Sequence, residues 1–346
     1  MITAAMDAAR LGRAGPLPAA LVQDAAVGYL AGPPAAGDVA SRRTDALAWA
    51  GAELDGAVRA LDPVRPAADD GLAAYRIAGY LDQHGRRTRQ GQLGPASLWD
   101  ALTARPAGSG AGDLTRVAQA ARDRGLYRHA AAGWTAAVSA GSADAAGRLV
   151  AHLREVSPED AALAARWAVG RVRLDDPWDL ARLLDELRAA DVGDAIRALL
   201  DRDPAGQVSI GHRWDAVELL AALHAAGAAG AVDILAARIV EDASLEHLPS
   251  VASLLMALHA AGAGDAVRAL VARDPARHAD PEAPEEMAVL LEALHAAGAQ
   301  GAARALATWA GGRTARGRGH RGGADPGHPR GGPEQHGCRN HAAGTT

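Results

Sequence analysis

The chain has 346 residues and a formal net charge of −5 at pH 7, which is too mild to imply any class of partner. Cys338 is the only cysteine, so a disulfide scaffold and a cysteine-ligated zinc site within one chain are excluded. No stretch approaches about 18 uninterrupted apolar residues, which argues against a membrane-spanning helix. Residues 1–13 lack the basic and apolar segments of a secretory signal, so we expect a cytoplasmic protein.

The first 106 residues are predicted to form an N-terminal helical region. It begins with two helices separated by a break at Pro16 and Pro18, and the second of them runs to Leu30. Further helices are predicted over Arg43–Leu61, over Leu72–His84 and from Pro95 onward. No segment shows sustained two-residue alternation of apolar and polar side chains, so no strands are predicted.

A nine-residue segment recurs through the second half of the chain. Leu219–Gly227 (LLAALHAAG) returns almost unchanged as Leu254–Gly262 and Leu290–Gly298, and a weaker copy, Leu183–Asp191, precedes them. The copies start at positions 183, 219, 254 and 290, which are 36, 35 and 36 residues apart. A fixed period of this size indicates stacked structural units.

Each copy carries the signals of a helix–turn–helix hairpin. A left-handed residue is expected after the end of the first helix, and three copies have glycine there: Gly227, Gly262 and Gly298. Asp194 and Asp265 are predicted to cap the second helix of their hairpins. Asp176–Pro177 is predicted to supply the N-cap and first residue of the first copy, and Pro284 has the same offset in the last. One hairpin cannot bury both of its apolar faces, so neighbouring hairpins must stack.

The repeats define the predicted domains. Residues 107–172 are predicted to form degenerate hairpins resembling tetratricopeptide (TPR) repeats, and residues 173–310 four hairpins of about 35–36 residues. Residues 311–346 contain eleven Gly and six Arg but no Leu, Ile, Val or Met, which predicts a disordered Gly/Arg-rich tail. The predicted fold class is therefore all-α: an α-solenoid of stacked helix–turn–helix repeats, TPR- or HEAT-like, with a disordered C-terminal tail.

Several segments resemble one protein family. Ala74–Arg89 (AYRIAGYLDQHGRRTR), Pro95–Asp100 (PASLWD) and the junctions Leu174–Pro177 and Arg202–Pro204 resemble actinobacterial STAND-type signalling NTPases, of the NACHT/AP-ATPase-like kind. In that family an NTPase core precedes a long helical repeat arm, and the resemblance implies an arm that senses partners and restrains the core. The present sequence has neither a GxxxxGK[ST] motif nor any lysine, so we expect a detached or truncated arm without the NTPase activity.

His224, His259 and His295 occupy equivalent positions in three copies and could suggest a row of metal ligands. Equivalent residues on stacked helices lie about 8–10 Å apart, whereas metal–nitrogen bonds are about 2 Å, so one ion cannot reach two of them. We therefore expect no metal site and interpret these residues as histidines at helix ends. The tail matches GxGxxG at Gly317–Gly322, but the flanking strand and helix that a dinucleotide site requires are not predicted there.

Charged groups offer two further candidates. Arg86, Arg87 and Arg89 are predicted to form a basic loop that could bind a phosphate or an acidic surface, although such a run is more often a solvated loop. The adjacent carboxylates Asp175–Asp176 and Glu285–Glu286 stand at predicted helix starts, where capping and the helix dipole explain them without acid–base catalysis.

Tryptophan is the other candidate for a functional side chain in this aromatic-poor sequence. Six tryptophans are expected to act mostly as packing anchors: Trp99, Trp134, Trp167, Trp178, Trp214 and Trp309. An exposed one on a concave face would be a binding hot spot, and the pattern does not indicate which.

We expect a non-enzymatic scaffold that binds a protein or peptide partner, as the sensor arm of a STAND-type signalling ATPase. No residue pattern indicates a catalytic site or a cofactor, and the partner-binding residues stay unassigned. The alternative is a nucleic-acid-associated protein that uses the Arg/Gly-rich tail and the Arg86–Arg89 segment. That tail lacks the interleaved aromatic residues that stack on bases, which weakens the alternative.

Overall fold

The computed structural model describes residues 1–30, 39–54, 58–64, 74–104, 110–278 and 283–308. Helices dominate these residues and the strands are short, so the predicted all-α class is confirmed. The predicted tail, 311–346, lies outside the described residues. Within the described ranges no helix is long and apolar enough to cross a membrane.

The N-terminal region combines helices with two small antiparallel sheets. The helices are α1 (Ile2–Arg10), α2 (Ala19–Ala26), α3 (Val39–Ala50), α4 (Gly79–Thr88) and α5 (Ala96–Ala104). The strands are β1 (Leu17–Pro18), β2 (Glu53–Leu54), β3 (Val58–Arg59), β4 (Leu61–Val64) and β5 (Ala74–Ile77). One sheet has the order β1-β5-β4, and β2 pairs with β3 in the other.

The prediction that this region contains no strands is wrong. The predicted helix Arg43–Leu61 ends at Ala50, and β2, β3 and the start of β4 follow it. The predicted helix Leu72–His84 is β5 followed by α4, which begins only at Gly79. The cause is non-local, because Tyr75 of β5 pairs with Leu17 on one side and with Pro63 on the other, and these strands are too short to show alternation.

Residues 110–308 form successive helical hairpins. The first helices of the hairpins are α6 (Ala111–Arg122), α8 (Ala143–Val156), α10 (Pro177–Ala189), α13 (Arg213–Ala225), α15 (Leu248–Ala260) and α17 (Pro284–Ala296). The second helices are α7 (Tyr127–Ser139), α9 (Pro158–Val169), α11 (Gly193–Leu200), α14 (Ala229–Asp242), α16 (Gly264–Ala272) and α18 (300–308). A short helix, α12 (Pro204–Gln207), follows α11.

Helices pack against the corresponding helices of neighbouring hairpins. Among first helices, α8 contacts α10, α10 contacts α13, α13 contacts α15 and α15 contacts α17, while α9 contacts α11 and α14 contacts α16 among second helices. The repeated leucines form this interface, since Leu184, Leu220 and Leu255 are completely buried. Leu291, the matching residue of the last copy, is only partly buried.

The turns within the hairpins form as predicted. Gly227, Gly262 and Gly298 adopt φ of 72°, 72° and 73°, the left-handed conformation that glycine accepts without strain. After α13 the amide of Gly227 donates to the carbonyl of His224, and the amide of Ala228 donates to that of Leu223. This is the Schellman pattern, which satisfies two carbonyls at the helix end. Asp191 replaces glycine in the weaker copy, with φ 54°.

The predicted caps are only partly correct. Asp176 caps α10 by accepting the amide of Asp179 at 3.0 Å, and Pro177 and Pro284 are the first residues of their helices. Asp194 and Asp265, however, lie inside the first turns of α11 and α16, and the N-caps are Val192 and Ala263. The turn is so short that the residue completing the Schellman pattern is also the N-cap of the next helix. The carboxylates of Asp194 and Asp265 still interact favourably with the helix dipole.

A second periodic contact joins the hairpins. In three successive repeats an arginine of the second hairpin helix, or of the residues just after it, donates to two carbonyls 33 and 30 residues earlier. We call these contacts the arginine clamps: Arg202 to Val169 and Val172, Arg238 to Ala205 and Val208, and Arg273 to Val240 and Ala243. In all three clamps the arginine Nη2 lies 2.8–2.9 Å from the oxygen of the carbonyl to which it donates. Each clamp supplies donors to carbonyls in the last turn of a helix or in the residues just after it, where intrahelical donors are lacking.

Candidate interaction surface

The three repeated histidines do not come together. His224, His259 and His295 are all exposed, each near the end of a different first helix. His224 lies against Gly262 of the following repeat, and His295 Nδ1 lies 2.9 Å from the carbonyl of Leu291. Among the described residues no group of three or more His, Cys, Asp or Glu side chains could hold a metal ion.

The predicted basic loop is helical instead. Arg86 and Arg87 belong to α4 and Arg89 is its C-cap. Arg86 pairs with Asp82 one turn earlier, while Arg89 makes two hydrogen bonds of 2.8 Å to the carboxylate of Asp7 in α1. Arg89 therefore ties α4 to α1 and has its donors directed into the protein.

Asp7 is the centre of this buried contact. Its side chain has no exposed surface, and it accepts hydrogen bonds from Arg10, Arg89 and Tyr29. Burial is the largest influence and would raise the pKa of Asp7, but these three donors together outweigh it and hold the pKa below its ordinary value. The cluster is thus a structural ion pair of the N-terminal region.

The structure separates the tryptophans into buried and exposed groups. Trp99 and Trp134 are buried, and Trp167 is partly buried with the guanidinium of Arg171 4.8 Å from its ring centre. Trp178 and Trp214 are 46% and 52% exposed. Trp49, which the sequence pattern did not single out, is 67% exposed, and Trp309 lies outside the described residues.

Trp178 and Trp214 occupy equivalent positions in neighbouring first helices, and we call them the tryptophan pair. Each is the second residue of its helix, α10 or α13, and these two helices pack directly against each other. Packed helix axes are about 8–10 Å apart, so equivalent side chains can contact the same ligand. The later repeats have Pro249 and Glu285 at this position, which confines the pair to two repeats.

A polar cleft of about 490 Å³ lies where α6, α8 and α10 begin. Charged side chains from all three helix starts line it, and several of them pair with each other, as Arg148 does with Asp144 at 2.9 Å. Asp175 pairs with Arg173 and Asp176 caps α10, which accounts for this carboxylate pair without catalysis. Trp178 directly precedes the cleft residue Asp179, so the indole and the cleft share the first turn of α10.

Asp179 is a cleft carboxylate with a raised pKa. Burial, together with the negative charges of Asp176 and Asp144, raises its pKa to about 6. The backbone amide of Asp144 donates to the Asp179 carboxylate and opposes this shift. The unfavourable environment of this carboxylate could not be anticipated from the sequence, because Asp144 belongs to the preceding hairpin.

Comparison with models of known protein families, with curated proteins and with solved structures finds no match for this chain. The functional interpretation therefore depends on the geometry of the chain itself.

The raised pKa of Asp179 predicts a specific pH dependence of stability. The folded state retains this proton to higher pH than the unfolded state, whose ordinary value is 3.8, so stability from this group falls as pH rises from about 4 to about 6. Asp179→Asn keeps an acceptor for the Asp144 amide but removes the charge. We expect the variant to melt at a higher temperature than the original protein above about pH 6.

Thermal melts across this pH range, with the exposed Asp201→Asn as control, measure the effect. If the difference in melting temperature between Asp179→Asn and the original protein does not change with pH, the carboxylate is not held in an unfavourable environment.

Proposed function

We propose that this chain is a non-enzymatic helical-repeat scaffold that binds a protein or peptide partner. Support comes from the hairpins of residues 110–308, whose first helices from α8 to α17 contact each other in succession, as in an α-solenoid. Such an array offers a long continuous surface rather than a single enclosed pocket. Its leucine core and arginine clamps hold side chains of successive repeats at regular positions.

The tryptophan pair is the observation that carries this proposal. A large aromatic side chain that is half exposed can still lose considerable apolar surface to water, and tryptophan is enriched among residues that dominate interface energies. The hairpin stack does not require an indole at this position, because the next two repeats fold with Pro249 and Glu285 there. The pair is therefore available to a partner.

We further propose that the chain is the sensor arm of a STAND-type regulator. The support is the resemblance of Ala74–Arg89 and Pro95–Asp100, together with the repeat array that follows them. Arg89 bonded to Asp7 and Arg86 paired with Asp82 give no support to the nucleic-acid alternative.

The genomic DNA before the Met1 codon tests the sensor-arm proposal. We expect a reading frame there that encodes an NTPase core with a GxxxxGK[ST] motif. A complete upstream region without such a frame would remove the main support for this assignment.

Affinity capture from the source organism tests the role of the tryptophan pair. The full chain is compared with Trp178→Gln/Trp214→Gln and with Trp49→Gln, which removes an exposed indole from the N-terminal region. We expect the original protein and the control to recover the same specific partner, and the double variant to recover at least about tenfold less, because a hot-spot residue contributes about 2 kcal/mol or more.

Circular dichroism melts establish that all three proteins are folded. Recovery of no specific partner by the folded original protein, or equal recovery by the double variant, would contradict the proposed role.

A further inference from the structure

Helix α14 departs from the pattern that the second helices of the other three C-terminal hairpins, α11, α16 and α18, share. An Arg-Ala-Leu triplet occurs at residues 197–199, 268–270 and 304–306, but α14 has Asp233-Ile234-Leu235 instead. The leucine is completely buried in all four helices, whereas the two preceding positions are exposed in all four. The stack therefore fixes the leucine only, and the changes to Asp233 and Ile234 alter the surface.

The length of α14 differs as well. It extends to Asp242, whereas α11 and α16 end at Leu200 and Ala272, close to the Arg-Asp-Pro segments that follow them. The additional turn brings Glu241 onto the same helical face as Ile234, seven residues earlier. Helix α14 thus presents an exposed apolar side chain, 47% accessible at Ile234, on the face that also carries Glu241.

This face adjoins a groove of about 590 Å³ between α14 and α16. Small apolar side chains line the groove: Ala237, Val240, Ala266 and Ala269. Three carboxylates stand along it: Asp233, Glu241 and Asp265. Ile234 lies three residues before Ala237, which places it beside the groove on the outer surface of α14.

The carboxylates of the groove are poorly compensated within the chain. Asp233 and Glu241 form no ion pair with any residue that the structure describes. Asp265 pairs with Arg268, but both side chains are largely exposed, at 86% and 76%, so water competes strongly for them. Arg273 also lines the groove, yet its guanidinium is bonded to the carbonyls of Val240 and Ala243.

We propose that the groove between α14 and α16 binds a basic amphipathic helix of a partner protein. Two packed helices with small side chains between them let a third helix approach closely, with its apolar face toward the alanines. Lysine or arginine side chains on the flanks of that helix would then meet Asp233, Glu241 and Asp265. The inference rests on the proposed scaffold function. The groove lies on second helices, however, whereas the tryptophan pair lies on first helices.

A defined peptide tests this proposal directly. The probe is a fluorescent peptide of about 14 leucine and lysine residues arranged as an amphipathic helix, and fluorescence anisotropy with the full chain measures binding. We expect saturable binding that weakens as salt increases, and no binding of the same peptide with glutamate in place of lysine.

The repeat pattern supplies a matched variant. Asp233→Arg/Ile234→Ala gives α14 the Arg-Ala-Leu triplet of α11, α16 and α18, so the variant should fold normally. Glu159→Arg/Leu163→Ala on α9 makes the same change in charge and removes an exposed apolar residue elsewhere, 62% accessible at Leu163. We expect the α14 variant to weaken peptide binding at least tenfold and the α9 variant to change it less than twofold. A second groove variant, Glu241→Gln/Asp265→Asn, should also weaken it and covers the case in which the first variant misfolds.

Three outcomes would overturn the proposal: no binding by the original protein, equal weakening by the α9 and α14 variants, or no weakening by either groove variant. Sedimentation of the protein alone provides a fourth. If the original protein self-associates and the α14 variant does not, the groove binds a second copy of the chain instead of a partner helix. Because the peptide is tested directly, failure here leaves the capture experiment with the tryptophan pair unaffected.

Discussion

The repeat array depends on one recurring contact, the donation of an arginine guanidinium to carbonyls at the end of the preceding repeat. The carbonyls that end a helix have no partner within it, and an unpartnered carbonyl between packed helices is costly. Arg202, Arg238 and Arg273 provide two donors each at the repeat period. Leucine packing alone is not directional, whereas a guanidinium bonded to two carbonyls fixes how one hairpin is translated and rotated relative to the last at these three junctions. The groove beside α14 and the spacing of the tryptophan pair both follow from that register.

The local parts of the fold could be predicted from the sequence. The leucine spacing, the glycine after each first helix and the proline at helix starts act within a few residues, and they gave the hairpins and turns correctly. The strands of the N-terminal region could not be predicted, because β5 is stabilised by β1 and β4, which are distant in the chain. Arg89 illustrates the same limit, since the carboxylate that fixes it belongs to Asp7 at the other end of the region.

The candidate surface was less predictable than the fold. The dipeptide Trp-Asp occurs at Trp99, Trp178 and Trp214, always near a helix start, yet Trp99 is buried and the other two are exposed. Exposure depends on which helices cover a residue, and that is a property of tertiary packing. The clamps and the altered surface of α14 can be recognised in the sequence. Three arginines recur 36 and 35 residues apart, and α14 has Asp-Ile-Leu where α11, α16 and α18 have Arg-Ala-Leu. Recognising these features requires an alignment of the repeats on their second helices as well as on their first.

Hydrogen exchange of Arg238→Met tests the importance of the clamps most directly. Methionine keeps much of the apolar stem but cannot donate to Ala205 and Val208, and hydrogen bonds from charged groups contribute about 1.5–3 kcal/mol. We predict faster amide exchange in α11–α14 and a lower urea midpoint, with the N-terminal region unchanged and little effect from Arg268→Met, whose arginine makes only an exposed ion pair. If Arg238→Met exchanges and unfolds like Arg268→Met, the clamps do not hold the repeats together.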